Sequence, residues 1–473
     1  MLRTMHWTTP EERRRLGQAR RKQVGRQQHG ELNVKARPSS SLALVERSMR
    51  GRLPALVKLK YDLMAESPFA YFRGAAAVIA ADLSVLPSTG IVSQLCGDAH
   101  VRNLGAYAAP DGRLVFDISD FDETIRGPFE WDLKRMAASL VLTARAVGSG
   151  AGHIDELARD AVVACVERYA AGMRAFARMP YLEMARFQVH RIGGAQPVHA
   201  ALVKAERATP QHTLEQFTQP VRGMPGSPRR GLPPWGDKPG SPLKGRPPWG
   251  GKPGAPRRFK ETKPTLTRVT GARAAAVLAS LGPYREMLEP ERQHLLSLYR
   301  PVDVAFKVVG VGAVGLRDYC VYFEGNGPGD PLFLQIKEET ASAYAPYLPE
   351  AHPPHHNGRR VVEGQRAMQM ESDPLLGWTQ MGGRQFLVRQ LKDHKGSIDL
   401  EDLAGDGLKA YAEVCGELLA RGHARSGDPL IIAGYLGAGG GFAEALAKFG
   451  ALYAVQTEKD WEELRRARKT KAP

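Results

Sequence analysis

GDAHVRN (97–103), LVFDISDFDE (114–123) and GPFEWDLKR (127–135) are the stretches that decide how this chain is read. Asp98 and Asn103 share one short polar segment, with His100 between them. Leu114–Ile118 is apolar enough for a strand leading into Asp120, and a Gly-Pro turn follows before Trp131 and Asp132 open a helix. A loop carboxylate such as Asp98 can accept the proton of an attacking hydroxyl. The amide oxygen of Asn103 and the carboxylates of Asp120 and Asp122 suit a hard cation such as Mg²⁺. Taken singly, acids in turns often only cap helices or accept backbone N–H bonds, and Asp132 would do so as an N-cap. Taken together, Asp98, His100, Asn103, Asp117, Asp120, Asp122 and Glu123 crowd into a short span. Their charges would raise one another's pKa values, and a divalent ion is the economical relief.

A second constellation lies far downstream. VAFKVVGVGAVGLRDYCVYFEG (304–325) reads as strand, glycine-rich turn and strand, and LFLQIKEE (332–339) as a third strand bearing Lys337. Gly310, Gly312 and Gly315 let backbone N–H groups approach phosphate without a Cβ in the way. A dinucleotide-binding turn would continue into a helix. The β-rich sequence after these glycines favours a phosphate-covering hairpin instead. Lys337 sits among Phe333, Leu334 and Ile336, where an ammonium needs an anionic partner. RRVVEGQRAMQMES (359–372) is predicted helical and offers Glu363 as that partner. Glu338 is the rival, although adjacent strand residues face opposite ways. RQFLVRQLKD (384–393) is predicted to be a strand leading into a hinge.

GDAHVRN resembles the GDLHPGN-type catalytic loop of aminoglycoside phosphotransferases and choline-kinase-like enzymes. DFDETIRGPFEWDL (120–133) resembles their metal-binding Asp segment, Gly-Pro turn and Asp-Leu helix start. The resemblance implies Asp98 as catalytic base, Asn103 and Asp120 as metal ligands, and Asp132 as an acid tying the helix to the loop. Cys96 stands where a His usually precedes Gly-Asp, which puts the support of the loop in question. SPFAYFRGAA, LCGDAHVRNLGAY, DFDETIRGPFEWDLKRMAASL, KVVGVGAVGLRDY, LQIKEE, VRQLKD, LARGHARSGD, IAGYLG and YAVQTEKD are similar to motifs of the bacterial proteins grouped as domain of unknown function 2252. That resemblance spans nearly the whole chain and carries fold and site, but no substrate. Ser119, Leu104 and Ala313 depart from its usual Asn, Phe and Ser.

The fold class expected is α+β, a protein kinase-like bilobal fold in which the acidic loop precedes the glycine turn, as in a circular permutation. The segments read as a basic, partly flexible extension (1–50), a helical large lobe (51–219), a Pro/Gly/Lys-rich disordered insert (220–264), a helical connector (265–300), a small antiparallel-sheet lobe (301–395) and a helical return with a basic tail (396–473). The helix around Leu408–Ala424 should pack beside the Gly97–Asn103 loop, with His423 either lining the cleft or ending a helix. Apolar spacing predicts helices from Asp132 to Val147 and from Ile154 to Met179.

The 473 residues allow one large two-lobed core. Four scattered cysteines support neither a disulfide framework nor a zinc ribbon. A membrane-spanning apolar run and a secretory signal are both absent, so the expected location is cytoplasmic. The net charge of +16 concentrates in the N-terminal run, the insert and the tail, so specific nucleic-acid binding is not supported. Within the insert, GLPPWGDKPGSPLK (231–244) is nearly repeated as GRPPWGGKPGAPRR (245–258). Trp235 and Trp249 are candidate recognition points for an anionic or protein partner. His352, His355 and His356, interrupted by two prolines, read as a solvated turn. The expected activity is phosphoryl transfer from ATP with Mg²⁺ to an unidentified hydroxyl acceptor. The alternatives are nucleotidyl transfer with the same parts, a metal-dependent hydrolase built on Asp98, His100, Asp117, Asp120 and Asp122, and a non-catalytic nucleotide switch.

Overall fold

Leu332, Leu334 and Ile336 project from one face of the strand Pro331–Glu339 into an apolar core. Phe333, Gln335 and Lys337 project from the other, as the two-residue period of a strand requires. The computed structural model describes residues 8–148, 153–187, 195–221, 256–308, 310–327, 329–391 and 395–470. In it this strand lies within a six-stranded antiparallel sheet. The order is Gly377–Met381, Arg384–Gln390, Pro331–Glu339, Asp318–Glu324, Arg300–Lys307 and Leu266–Val269. Helices Gly271–Ala279 and Leu281–Glu286 cover one face, where Val277, Leu281 and Tyr284 pack with Val304, Val321, Leu334 and Val388. Phe259, Tyr322 and Phe333 cluster with Leu214 on the other. The helix Asn357–Met368 lies against Arg384–Gln390, so strand, glycine turn, strand, lysine strand, helix and hinge strand follow in the predicted order.

Opposite the sheet, helices Glu130–Val147, Ile154–Phe176, Asp406–Ser426 and Gly440–Thr470 bury their apolar faces in one large core that includes Leu140, Tyr169, Leu418 and Phe449. The mixture of helix and sheet is α+β. Among the described residues no single helix is long and apolar enough to cross a membrane. All four cysteines are free and buried.

Three segment boundaries differ from expectation. The N-terminal region contains a capped helix, Pro10–Gln23, packed on the helix Pro429–Leu436. There Gly17 passes so close that a Cβ would stand 2.0 Å from the Ile431 carbonyl oxygen. Its basic residues have a structural use: Arg21 donates to the Tyr435 carbonyl at 2.6 Å and Arg26 to the Leu436 carbonyl at 2.7 Å. They satisfy carbonyls that a helix C-terminus leaves unpaired. The expected insert and the expected helical connector both take in strands. Arg257–Phe259 pairs with Thr218–Pro220, and Leu266–Val269 is an edge strand of the large sheet, because Phe259 and Leu266 are needed in the core around Tyr322. Residues 222–255, including Trp235 and Trp249, lie outside the described residues. The basic tail is helical to Thr470, with Arg468 paired to Asp62.

Candidate active-site cleft

Two short ladders bring the acidic residues together. Leu104–Ala108 pairs with Leu114–Ile118 so that Leu104 faces Ile118. Asn103 and Ser119, just beyond that pair, are therefore neighbours, and the Ser119 N–H donates to the Asn103 carbonyl at 2.8 Å. Val92–Leu95 pairs with Ile125–Pro128, with Leu95 opposite Ile125, so the segments 96–103 and 119–124 become facing loops. Gly97 adopts φ +82°, and a Cβ there would stand 2.2 Å from the Glu123 carbonyl oxygen, so the turn tolerates only glycine.

Asp132 does not cap its helix. The helix begins at Glu130, and Asp132 in its first turn accepts from the Cys96 N–H at 2.8 Å and the Gly97 N–H at 3.0 Å. His423 stands 3.3 Å from Asp132 and 2.8 Å from the Tyr169 hydroxyl. Tyr411, on the same late helix, donates to the Val101 carbonyl at 2.7 Å. That helix thus supports the acidic loop from behind, and His423 is a buried part of this support, not a wall of the cleft.

Asp98 meets two side chains. The Arg135 guanidinium, fully buried over the Phe72 ring, pairs with Oδ1 at 2.5 Å from Nε. His100 Nε2 faces Oδ2 at 3.6 Å. Its Nδ1 accepts from the Arg102 N–H at 3.2 Å, which assigns the ring proton to Nε2. Burial lowers the His100 pKa to about 3, so the ring stays neutral. His100, a catalytic candidate beside Asp98 by sequence, lies against that carboxylate as a neutral ring. The Asn103 amide nitrogen donates to the Asp98 carbonyl at 2.9 Å, which leaves its side-chain oxygen for a ligand. Asp120 Oδ1 accepts from the Asp122 N–H at 3.3 Å.

Across the cleft, Lys337 pairs with Asp122. Glu363, expected in that role, is exposed and pairs with Arg359 at 2.6 Å, one turn away on its own helix. Glu338 faces away from the cleft and pairs with Arg317 at 3.0 Å and Arg384 at 2.6 Å. The helix Asn357–Met368 still reaches the site, but through Arg360. This residue donates to the Asp122 and Thr340 carbonyls at 2.8 Å each, and to the Thr124 carbonyl. Burial opposes charge on both members of the Lys337–Asp122 pair. Their mutual attraction nevertheless holds the Asp122 carboxyl below the usual carboxylate value and the Lys337 ammonium above the usual lysine value. Glu339, on the same strand face as Lys337, shows the opposite balance: burial, and then the Asp122 charge, raises its pKa well above normal. Glu339 Oε1 and Asp122 Oδ1 are both buried without a hydrogen-bond partner.

Gly310 and Gly315 adopt φ +55° and +92°, and the turn between them is braced from the N-terminal region. Lys60 donates to the Gly312 carbonyl at 2.7 Å and the Val311 carbonyl at 3.2 Å. Arg52 donates to the Val314 carbonyl at 2.6 Å, and the Leu53 N–H to the Gly315 carbonyl at 2.7 Å. With these carbonyls occupied, what the turn offers a ligand is chiefly N–H groups.

Asp98, Asn103, Asp120, Asp122, Lys337, Gly310 and Gly312 line one cleft of about 290 Å³. Gly315 does not line it and lies against Arg52. Asp117 lies elsewhere, paired with Arg421. Among the described residues no group of three or more His, Cys, Asp or Glu side chains is arranged to hold a metal ion alone. Arg73, Lys307, Arg389 and Lys395 also line the cleft and were not singled out from the sequence, although Arg73 lies in SPFAYFRGAA and Arg389 in VRQLKD. The hinge end, with Lys307, Gln335, Arg389 and Lys395, is cationic and polar. Burial and the neighbouring Arg389 lower the Lys395 pKa to about 7.

These observations define an α+β protein with a charged cleft between a six-stranded sheet and a helical bundle. The chain belongs to the family described as "Uncharacterized protein conserved in bacteria (DUF2252)", whose model matches residues 52–229 and 251–467. Comparison with curated proteins and with solved structures gives no match.

Proposed function

We propose that this protein is an ATP- and Mg²⁺-dependent phosphotransferase for a hydroxyl acceptor, built on a circularly permuted kinase-like arrangement. One observation carries the reading: the lysine strand and the glycine turn share a cleft with Asp98, Asn103 and Asp120, although Lys337 and Asp122 are 215 residues apart. The donor set suits Mg²⁺, which favours oxygen ligands and usually takes only one or two from protein, completing its shell with water and phosphate. Asn103 and Asp120 would hold it, and the unpartnered Asp122 Oδ1 adds a third oxygen close by. Bound Mg²⁺-ATP supplies the transferred group and neutralises its charge. With Oδ1 of Asp98 held by Arg135, Oδ2 is the atom that orients the acceptor hydroxyl and takes its proton. Lys337 and the turn's N–H groups position the phosphates, and the polar hinge end requires that the base be held by hydrogen bonds. A water-activating hydrolase has less support, because Asp117 is committed to Arg421.

The test is a thermal-shift titration with Mg²⁺-ATP, Mg²⁺-GTP and Mg²⁺-ADP, followed by transfer assays on variants. A nucleotide at a hundred times its Kd should stabilise the protein by about 2.7 kcal/mol. Asp98→Ala should keep that response and lose transfer by roughly 10²–10⁴-fold, whereas Asp120→Ala should weaken the Mg²⁺ dependence as well. Absence of any saturable, Mg²⁺-dependent nucleotide response would remove the reading.

A further inference from the structure

Arg73 lies in the last turn of the helix Pro68–Gly74, on the cleft wall between the glycine turn and the acidic loop. Its carbonyl oxygen is 3.8 Å from where a Cβ on Gly312 would stand, and its guanidinium feels the charges of Asp98 and Asp120. Three other cations around this end have acceptors: Arg52 and Lys60 in carbonyls of the turn, and Arg135 in Asp98 and the Phe72 carbonyl, although Arg135 Nη1 is itself buried without a partner. Among the described residues no carboxylate pairs with Arg73 and no group accepts from its side chain, and its Nε is buried without a partner. A guanidinium stays charged, and its Nε–H, held away from water with nothing to receive it, is unfavourable unless a ligand takes it. Arg102, exposed on the acidic loop, adds a second positive charge close to Arg73. What this corner lacks is an oxyanion, and a planar fork of donors matches a phosphate-type group.

We propose that Arg73 forms an oxyanion-binding site at the Asp98 end of the cleft, taking a tetrahedral phosphate-type group. Which anion arrives there rests on the phosphotransferase reading: the group in transfer from the donor, or an acidic group carried by the acceptor. The two sources share one chemistry and differ in whether the nucleotide's terminal position must be empty.

Arg73→Met and Arg73→Lys, made in the full chain, separate these cases by thermal shift. Because Arg73 donates to no side chain or carbonyl among the described residues, the Met variant without ligand should melt no lower than the parent; a fall of several degrees in both variants would make Arg73 a structural residue and overturn the site. The parent should respond saturably to inorganic phosphate, and Arg73→Met should weaken that response at least tenfold, with Arg73→Lys intermediate. Loss in the Met variant of the extra stabilisation that fluoroaluminate adds to Mg²⁺-ADP assigns the site to the transferred group. Loss instead of phosphate binding over a non-hydrolysable Mg²⁺-ATP analogue assigns it to the acceptor. Phosphate and fluoroaluminate responses that are absent, or equal in parent and Met variant, overturn the proposal. Arg73-dependent phosphate binding without any response to Mg²⁺-ADP would leave the oxyanion site standing and remove the phosphotransferase reading alone.

Discussion

Replacing Lys337 by Met strands a carboxylate. The Lys337 side chain is 5 % exposed and that of Asp122 is 24 % exposed, and the second oxygen of Asp122 already has no partner. Removing one member of a buried pair costs about 3–5 kcal/mol. Water reaching the partly exposed carboxylate reduces this to about 2–4 kcal/mol. Asp122→Asn in the same chain removes the stranded charge, so the double variant should recover to within about 1 kcal/mol of the parent. The pH dependence has a definite sign. In the parent, Asp122 titrates below its unfolded value, so its contribution is present above the ordinary carboxylate pKa and is lost as pH falls through the lower folded value. In Lys337→Met, burial, the largest influence on Asp122, loses its main opponent and is countered only by Arg389 and the Asp120 hydrogen bond, so the carboxyl pKa rises and this variant should be weakest near neutrality and recover as pH falls. Urea unfolding of the four proteins, followed by far-ultraviolet circular dichroism at neutral and mildly acid pH, measures the cycle. A single variant as stable as the parent at neutral pH, or a double variant no more stable than the single, would refute the reasoning. The double variant should also be folded yet silent to Mg²⁺-ATP, since Lys337 is proposed to serve the phosphates as well as the fold.

Asp132→Ala leaves the buried Cys96 and Gly97 N–H groups without acceptors, at about 1–3 kcal/mol each; urea unfolding should show a loss of about 2–5 kcal/mol, with nucleotide-dependent stabilisation weakened because the Asp98 loop is no longer held. Lys395→Met should stabilise the ligand-free protein, because the native lysine is half-buried, and desolvation and the neighbouring Arg389 bring its pKa down to about 7. A lowered lysine pKa means the folded state binds fewer protons than the unfolded one between that value and the ordinary lysine pKa. The stabilisation should therefore be greatest below pH 7, shrink as pH rises, and vanish near the ordinary lysine pKa of about 10.4. Melting temperatures across that range check it, and a difference that grows with pH would contradict it.

The elements of the cleft were legible where local pattern governs. Two-residue alternation places Lys337 on one face of its strand and Glu338 on the other, and a β-rich segment after the glycines marks a hairpin. Partner choice was not legible, because it is decided between segments far apart in the chain. Glu363 lies on the predicted helix, but Arg359 is four residues away and requires no chain rearrangement to reach it. On the same helix Arg360 turns inward and holds three carbonyls of the acidic and lysine segments, a contact that neither charge nor spacing announces. Asp98 likewise takes Arg135 and Asp132 takes two backbone N–H groups, both through one helix start whose orientation is set by the late helix bearing Tyr411 and His423. The helix in the basic N-terminal segment was not legible for a related reason. Positive charge without apolar periodicity indicates a solvated arm when no acceptor is known, yet here the carbonyls at the end of Pro429–Leu436, more than four hundred residues later, are the acceptors. Residue type therefore singled out candidate side chains, and tertiary contacts determine which of them already have partners. Arg73 follows from the second condition alone, since it becomes notable only once Arg52, Lys60 and Arg135 are seen to have acceptors within the protein while its own buried Nε has none.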